Sequence, residues 1–425
     1  MLNSGRESLS SPVDLSPRPT NGRHVAVLTS PVAGHVYSIL GLCSELVKRG
    51  YRVTCPMTDR YAQLIRETGA EPLRLTATGF KPQQQARGAF DLPPMDPDWW
   101  KIVAPGMFRG MIDFARWILP ELEHLYEGGA PDLVLCDRHF FAARLLAKRL
   151  HSPAVQICAA FALYQNTFIR EHGVCVTPEP IPELAREVDE FFREHGITEK
   201  NNLWPVEELN IYFVPKEFQY EDDWFDERWC FVGACIDRPF EKTWKNNSQG
   251  KPIILITNTS GTSDSSYFKK FVEVFGGSEY HVIFSIGSDL ITAESLGTLP
   301  ENFEINRSAQ HVEILPYTVL AICQGGMGNT LEPLYYGVPV IAIPAIPIHD
   351  EIAYRVAELG LGSYLPANEL TVETIRDHVK NVLGNKEILS KVQEMQARFR
   401  RAGGAKLAAD RIEEFLASAA RFTVG

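Results

Sequence analysis

A chain of 425 residues, 45% hydrophobic and 22% charged, has the composition of a soluble globular protein and exceeds the span of one hydrophobic core, so two domains are expected. Its net charge of -11 comes without any clustered run of Lys and Arg, which argues against a nucleic-acid surface and leaves solubility as the use of the acidity. No run of about twenty apolar residues is present, and the N-terminus lacks the basic, apolar and small-residue succession of a secretory signal, so no membrane span and a cytoplasmic location are expected. Of the eight cysteines, Cys43, Cys136, Cys158 and Cys323 lie in apolar segments and read as small buried hydrophobes. Cys230 and Cys235 are too far apart for a CxxC pair, and no metal site is assigned.

Residues 1–23, rich in Ser, Pro, Asn and Arg, are predicted to be a flexible tail. Order begins at HVAVLTSP, where Val25 to Leu28 read as a buried strand, followed by a turn at Val32-Ala33-Gly34. In ILGLCSELVKRG, Leu40, Cys43, Leu46 and Val47 recur on one helical side up to Gly50, and Tyr51 to Thr54 is the next strand. Strand, helix and strand with short connections make a βαβ unit of a parallel sheet. The alternation returns at PDLVLCD, with a strand from Leu133 to Leu135 ending at Asp137, the helix FFAARLLAKRL and a strand from Ala154 to Ile157. Between Lys81 and Tyr126, and again from Phe161 to Phe192, the chain is aromatic and Pro-rich with few strand signals. Such insertions tend to line a cleft, although each single aromatic is as well explained by packing.

Near Asp237 the chain turns polar and is punctuated by Gly and Pro, which places a linker at residues 237–250. A second alternating series follows, with strands expected at Ile253 to Ile256, His281 to Ser285, Val312 to Leu315, Leu320 to Cys323 and Val338 to Ile343. The fold class is therefore α/β, with two Rossmann-like doubly wound domains facing each other across a cleft: residues 24–236 and residues 251–404. The amphipathic segment within residues 405–425 is expected to cross back to the first domain. In CQGGMGNTLEPLYYGVPVIAIP, Gly325, Gly326, Gly328 and Asn329 stand at a strand-to-helix turn, which suits close approach of an anionic group to the backbone.

Together, HVAVLTSPVAGHVYSILGLCSELVKRGYRVT and GGMGNTLEPLYYGVPVIAIP resemble the motifs of macrolide-type family 1 (UDP-dependent) glycosyltransferases, and the likeness runs from His24 to Phe422. The resemblance implies the GT-B architecture, with acceptor bound by the first domain and nucleotide sugar by the second. It also implies a general base at His35, which occupies the His of the family's GHVNP turn, supported by Asp137 at the end of LVLCD. A histidine suits proton removal near neutral pH, and a carboxylate behind it holds the tautomer and stabilises the imidazolium. His139, two residues after Asp137, competes for the same role on spacing alone.

For the donor, the resemblance points to Gly326, Gly328, Asn329 and Thr330 as a phosphate cradle and to Glu332 as the ribose-binding carboxylate. Gln324 stands where the family has a phosphate-binding His, and Arg307 stands where it has a base-stacking Trp, with Gln310 kept. Ile348 and His349 fall at the family's acidic-Gln pair, with Asp350 as a substitute, and Thr257-Asn258-Thr259 replaces an LGS turn that contacts phosphate. Phe90, Trp99, Phe108, Phe140 and Phe161 are compatible with an apolar acceptor pocket. The function expected is transfer of a sugar from a nucleotide donor, such as a UDP- or dTDP-sugar, to a hydroxyl of a small hydrophobic natural product, with no other cofactor. Because several donor contacts depart from the family while His35 and Asp137 remain, the alternative is a repurposed enzyme of the same fold doing acid/base chemistry on a small apolar metabolite. A non-catalytic binding partner is a third reading, against which the retained pair speaks.

Overall fold

Val25 to Leu28 are fully buried, as a strand covered by helices on both faces must be. In the computed structural model they belong to β1 (His24–Leu28). The structure describes residues 22–76, 99–163, 168–169, 175–176, 182–198, 206–220, 223, 225–237, 240, 242–258, 265–286, 291, 293–307, 311–344 and 347–422. The first sheet comprises β1, β2 (Arg52–Met57), β3 (Glu71–Arg74), β4 (Leu133–Asp137), β5 (Ala154–Cys158), β8 (Asn210–Tyr212) and β9 (Trp229–Phe231). Its order is β3-β2-β1-β4-β5-β8-β9, and every pairing is parallel. A small antiparallel pair, β6 (Phe168–Ile169) with β7 (Cys175–Val176), stands apart from it.

The second sheet comprises β10 (Ile253–Asn258), β11 (His281–Ile286), β12 (Phe303–Asn306), β13 (Thr318–Cys323), β14 (Val340–Ala342) and β15 (Gly362–Tyr364). Its order is β12-β11-β10-β13-β14-β15, again wholly parallel. Each sheet reverses its direction of growth beside its first strand, between β1 and β4 and between β10 and β13. In open parallel sheets such reversals open a crevice at the carboxyl ends of the two strands, where ligands bind.

The strand expected at Val312 to Leu315 is instead the helical turn His311–Ile314 running into the 3-10 turn Leu315–Tyr317, and the outer strand of the sheet is β12. A four-residue apolar run cannot distinguish a buried strand from a buried helical turn. Here Glu313 accepts hydrogen bonds from the backbone N–H groups of Thr243 and Trp244, both at 2.9 Å, which ties the polar connecting segment to this turn. The Trp244 indole donates to Glu304 at 2.8 Å and packs on Tyr317, so that segment has an anchor its composition did not announce.

The aromatic stretch before Tyr126 is largely one 27-residue helix, Trp99–Leu125. Phe108, Ile112, Ala115, Leu119 and Leu122 recur at helical spacing along it and are buried in the core. The closing helix Gly404–Phe422 packs Ala405, Ala408, Ala409, Ile412 and Leu416 into the core that also holds Val36, Leu40 and Cys43 of helix Ala33–Lys48. Arg49 reinforces the contact, pairing with Asp410 at 2.6 Å and Glu413 at 2.9 Å. Among the described residues, no helix is long and apolar enough to cross a membrane.

Candidate active site

Parallel pairing of β1 with β4 puts Leu28 opposite Cys136, so Thr29 and Asp137 emerge side by side at the carboxyl ends of the two strands. Helix Ala33–Lys48 starts four residues after Thr29, and His35 lies in its first turn. The turn back from the strand thus delivers the imidazole to the carboxylate: His35 Nδ1 lies 2.5 Å from Asp137 Oδ2 across 102 positions of sequence. The Thr29 hydroxyl donates to the same oxygen at 2.6 Å, and the backbone N–H of His139 donates to Asp137 Oδ1 at 3.0 Å. The carboxylate is 5% exposed and His35 27%, so the pair has a buried base and an accessible front.

Burial alone would keep both groups uncharged. For Asp137 the charge of His35, with the hydrogen bond from the same ring, overcomes it, and its pKa falls well below 3.8. For His35 the Asp137 carboxylate overcomes burial and raises the pKa above 6.5. With Nδ1–H directed at the carboxylate, Nε2 carries the lone pair that can accept a proton.

His139 sits edge-on to His35 with ring centroids 5.3 Å apart, but its Nδ1 is 3.6 Å from Asp137 Oδ1, beyond a good hydrogen bond. Burial pushes its pKa down to about 4. His35, Asp137 and His139 are also the group of metal-capable side chains found among the described residues, with ligand atoms within 4.8 Å of one another.

The glycine turn lies at the other reversal point, directly after β13. Gly325 has φ +74, a conformation open to glycine, and Gly326 is the N-cap of helix Met327–Tyr335. Gln324 and Thr330 are buried and Asn329 is half-buried, while Gly328 is exposed. Glu332 faces His311, whose Nδ1 is 3.7 Å from Oε2, and the other ring nitrogen of His311 meets the Ser285 hydroxyl at 2.9 Å. The sequence carries no pattern that marks His311 or Ser285 beyond the place of His311 directly after Gln310. His349 borders Gly326, and Asp350 accepts a hydrogen bond from the Tyr364 hydroxyl at 2.8 Å.

Arg307 is exposed and donates to the Ile291 carbonyl. Asn258 ends β10 and Ile348 lies in the first turn of helix Pro347–Glu358. Thr259 and Gln310 lie outside the described residues.

Of the aromatic residues, Phe108 is fully buried and packs on Phe141, and Phe140 is 2% exposed beside Phe114, so both fill the core in this structure. Phe161 stacks on Phe218 at 5.7 Å and meets Tyr220 at 5.0 Å. Trp99 opens helix Trp99–Leu125, and Phe90 lies outside the described residues.

Residues 279–403 match the family described as the C-terminal domain of erythromycin biosynthesis protein CIII-like proteins. The chain is 36% identical to the NDP-glycosyltransferase YjiC of Bacillus licheniformis over 93% of its own length and 98% of that protein's. It is 29% identical to the demethyllactenocin mycarosyltransferase of Streptomyces fradiae, over 93% and 87% of the two chains. Among solved structures, the calicheamicin glycosyltransferase CalG4 superposes with a TM-score of 0.73 at 26% identity, covering 94% of this chain and 99% of that one. The two parallel sheets are thus the paired units of the GT-B fold, and the chain belongs to the macrolide-type family 1 glycosyltransferases.

Proposed function

We propose that this glycosyltransferase moves a sugar from a nucleoside diphosphate donor to a hydroxyl of a small hydrophobic natural product, with His35 as general base. The observation that carries the reading is the 2.5 Å contact between His35 and Asp137 at the crevice of the first sheet. His35 Nε2 takes the acceptor's hydroxyl proton as its oxygen attacks the anomeric carbon. The bond from that carbon to the diphosphate breaks, and the nucleoside diphosphate departs with the electron pair. Asp137 stabilises the imidazolium that results and holds the ring's orientation. On the donor side, the turn at Gly325 and Gly326 opens a helix whose leading N–H groups and dipole suit the departing diphosphate. The full-length match to a protein named as an NDP-glycosyltransferase supports a nucleoside diphosphate donor. The repurposed-enzyme reading has no observation of its own among the described residues.

Two measurements test this. UDP and dTDP are titrated while following the melting temperature, which rises if either binds the folded state. Turnover with the matching nucleotide sugar and a panel of phenolic and polyketide hydroxyls is then compared across variants. His35→Ala is expected to lower turnover by about two to four orders of magnitude, the usual worth of a positioned base, and His139→Ala by less than about tenfold. The reverse ranking assigns the base to His139.

A further inference from the structure

The first turn of helix Pro347–Glu358 lies directly against the glycine turn. A Cβ on Gly325 would stand 2.8 Å from the His349 carbonyl oxygen, and one on Gly326 would stand 3.6 Å from His349 Nε2. The imidazole therefore borders the N-cap of the nine-residue helix Met327–Tyr335, where backbone N–H groups gather without intrahelical partners. The ring hydrogen-bonds the backbone of Gln324. Its Nδ1 is enclosed and has no hydrogen-bond partner among the described residues. A buried ring nitrogen left unmatched is costly, and the ring that carries this one presents its Nε2–Cε1 side to an anion-binding helix end.

We propose that His349 is this chain's contact to the diphosphate at the glycine turn and that it takes up a proton from solvent when the nucleotide binds. The inference rests on the reading that the turn holds a nucleoside diphosphate. Burial keeps the imidazole neutral before that, its pKa pushed down to about 4. From the glycine turn the groups at the ring are the Gln324 backbone, Gly325 and Gly326, none of them charged. On the helix that the turn opens, Glu332 faces His311. On His349's own helix, Asp350 is engaged by Tyr364, and burial, then the charge of Asp350, raises the Glu351 pKa well above 4.5. A diphosphate arriving here supplies the anion the ring lacks, and an opposite charge at contact distance favours the imidazolium.

The sign follows from linkage. The complex binds a proton that the free protein does not, so affinity is greatest at low pH and falls as pH rises toward the pKa of the bound state. Below about 4 the free imidazole is protonated as well, and the dependence ends.

Calorimetric titration of UDP and of dTDP between pH 5.5 and 7.5, in two buffers of different ionisation enthalpy, counts the protons taken up. The nucleotide's own titration is common to all proteins compared, so the difference from His349→Gln and His349→Asn isolates this ring. Wild type is expected to take up up to about one proton more than either folded variant at pH 6, with affinity falling up to about tenfold more per pH unit. Equal proton uptake in wild type and a folded, nucleotide-binding variant overturns the role of His349 and leaves the donor reading standing. Failure of both nucleotides to bind wild type overturns the donor reading and this inference together.

Discussion

At the residue scale, Asp137 is the centre of the first-sheet site because three donors converge on its two oxygens: the His35 ring, the Thr29 hydroxyl and the His139 backbone. Since the Asp137 carboxylate is what raises the His35 pKa against burial, the acid limb of kcat/KM should lie above 6.5 in wild type. Activity should rise with pH through that value as the imidazole becomes a free base. Asp137→Asn should move the limb down and lower the rate without unfolding the protein; a pH-rate profile that is unchanged in this variant contradicts the pairing. His35 and Asp137 were legible in the sequence because each stands in a recognisable motif, Asp137 at the end of an apolar run and His35 in the turn that follows one. The choice between His35 and His139 was not, since a two-residue spacing says nothing about which ring reaches the carboxylate. His311 and its link to Glu332 were invisible for a related reason: the residues share no local pattern and meet only because β11, the helical turn after β12 and the helix that follows the glycine turn come together.

At the element scale, the strands beside each reversal point were readable from continuous apolar runs, while short or interrupted elements were not. The run from Val312 to Leu315 is too short for periodicity to classify, and the presence of Glu313 in its middle becomes meaningful only once Thr243 and Trp244 are seen to donate to it. Helix Trp99–Leu125 carries a regular buried seam, but Pro105 and Pro120 inside it mask the helical signal. Close approach sets a sharper demand in helix Ala33–Lys48. A Cβ on Gly41 would lie 2.1 Å from the carbonyl oxygen of Cys235, where the chain leaves the first sheet and crosses the helix. Gly41→Ala is expected to destabilise the fold by about 1–3 kcal/mol or more through that overpacking, read as a lower urea midpoint, whereas Gly34→Ala, with open space around it, should not.

At the scale of the whole molecule, the two sheets are held together by contacts far apart in sequence. Arg355 of helix Pro347–Glu358 donates to the carbonyls of Phe218 at 3.0 Å and Gln219 at 2.9 Å and lies 4.5 Å from the ring centre of Tyr220. The Tyr220 hydroxyl returns a hydrogen bond to the Glu351 carbonyl at 3.1 Å. The Gln219 amide meanwhile brackets Ala162, so the segment beside Phe161, which follows β5 of the first sheet, is tied to the helix that carries His349. The closing helix supplies a second tie through Ile412, which is fully buried against the first sheet's core. Ile412→Ala should cost about 2–5 kcal/mol, seen as a lowered melting temperature, and an unshifted melt denies that helix a part in the core. By itself the sequence determined that the chain would build two parallel sheets and that an imidazole, a carboxylate and a glycine turn would stand at strand ends, because buried strands and tight turns leave their signatures in neighbouring residues. Only the tertiary structure decided which histidine meets Asp137, what flanks Glu332 and how His349 reaches the glycine turn, because those contacts join separate elements through strand order and register, which no local stretch of residues encodes.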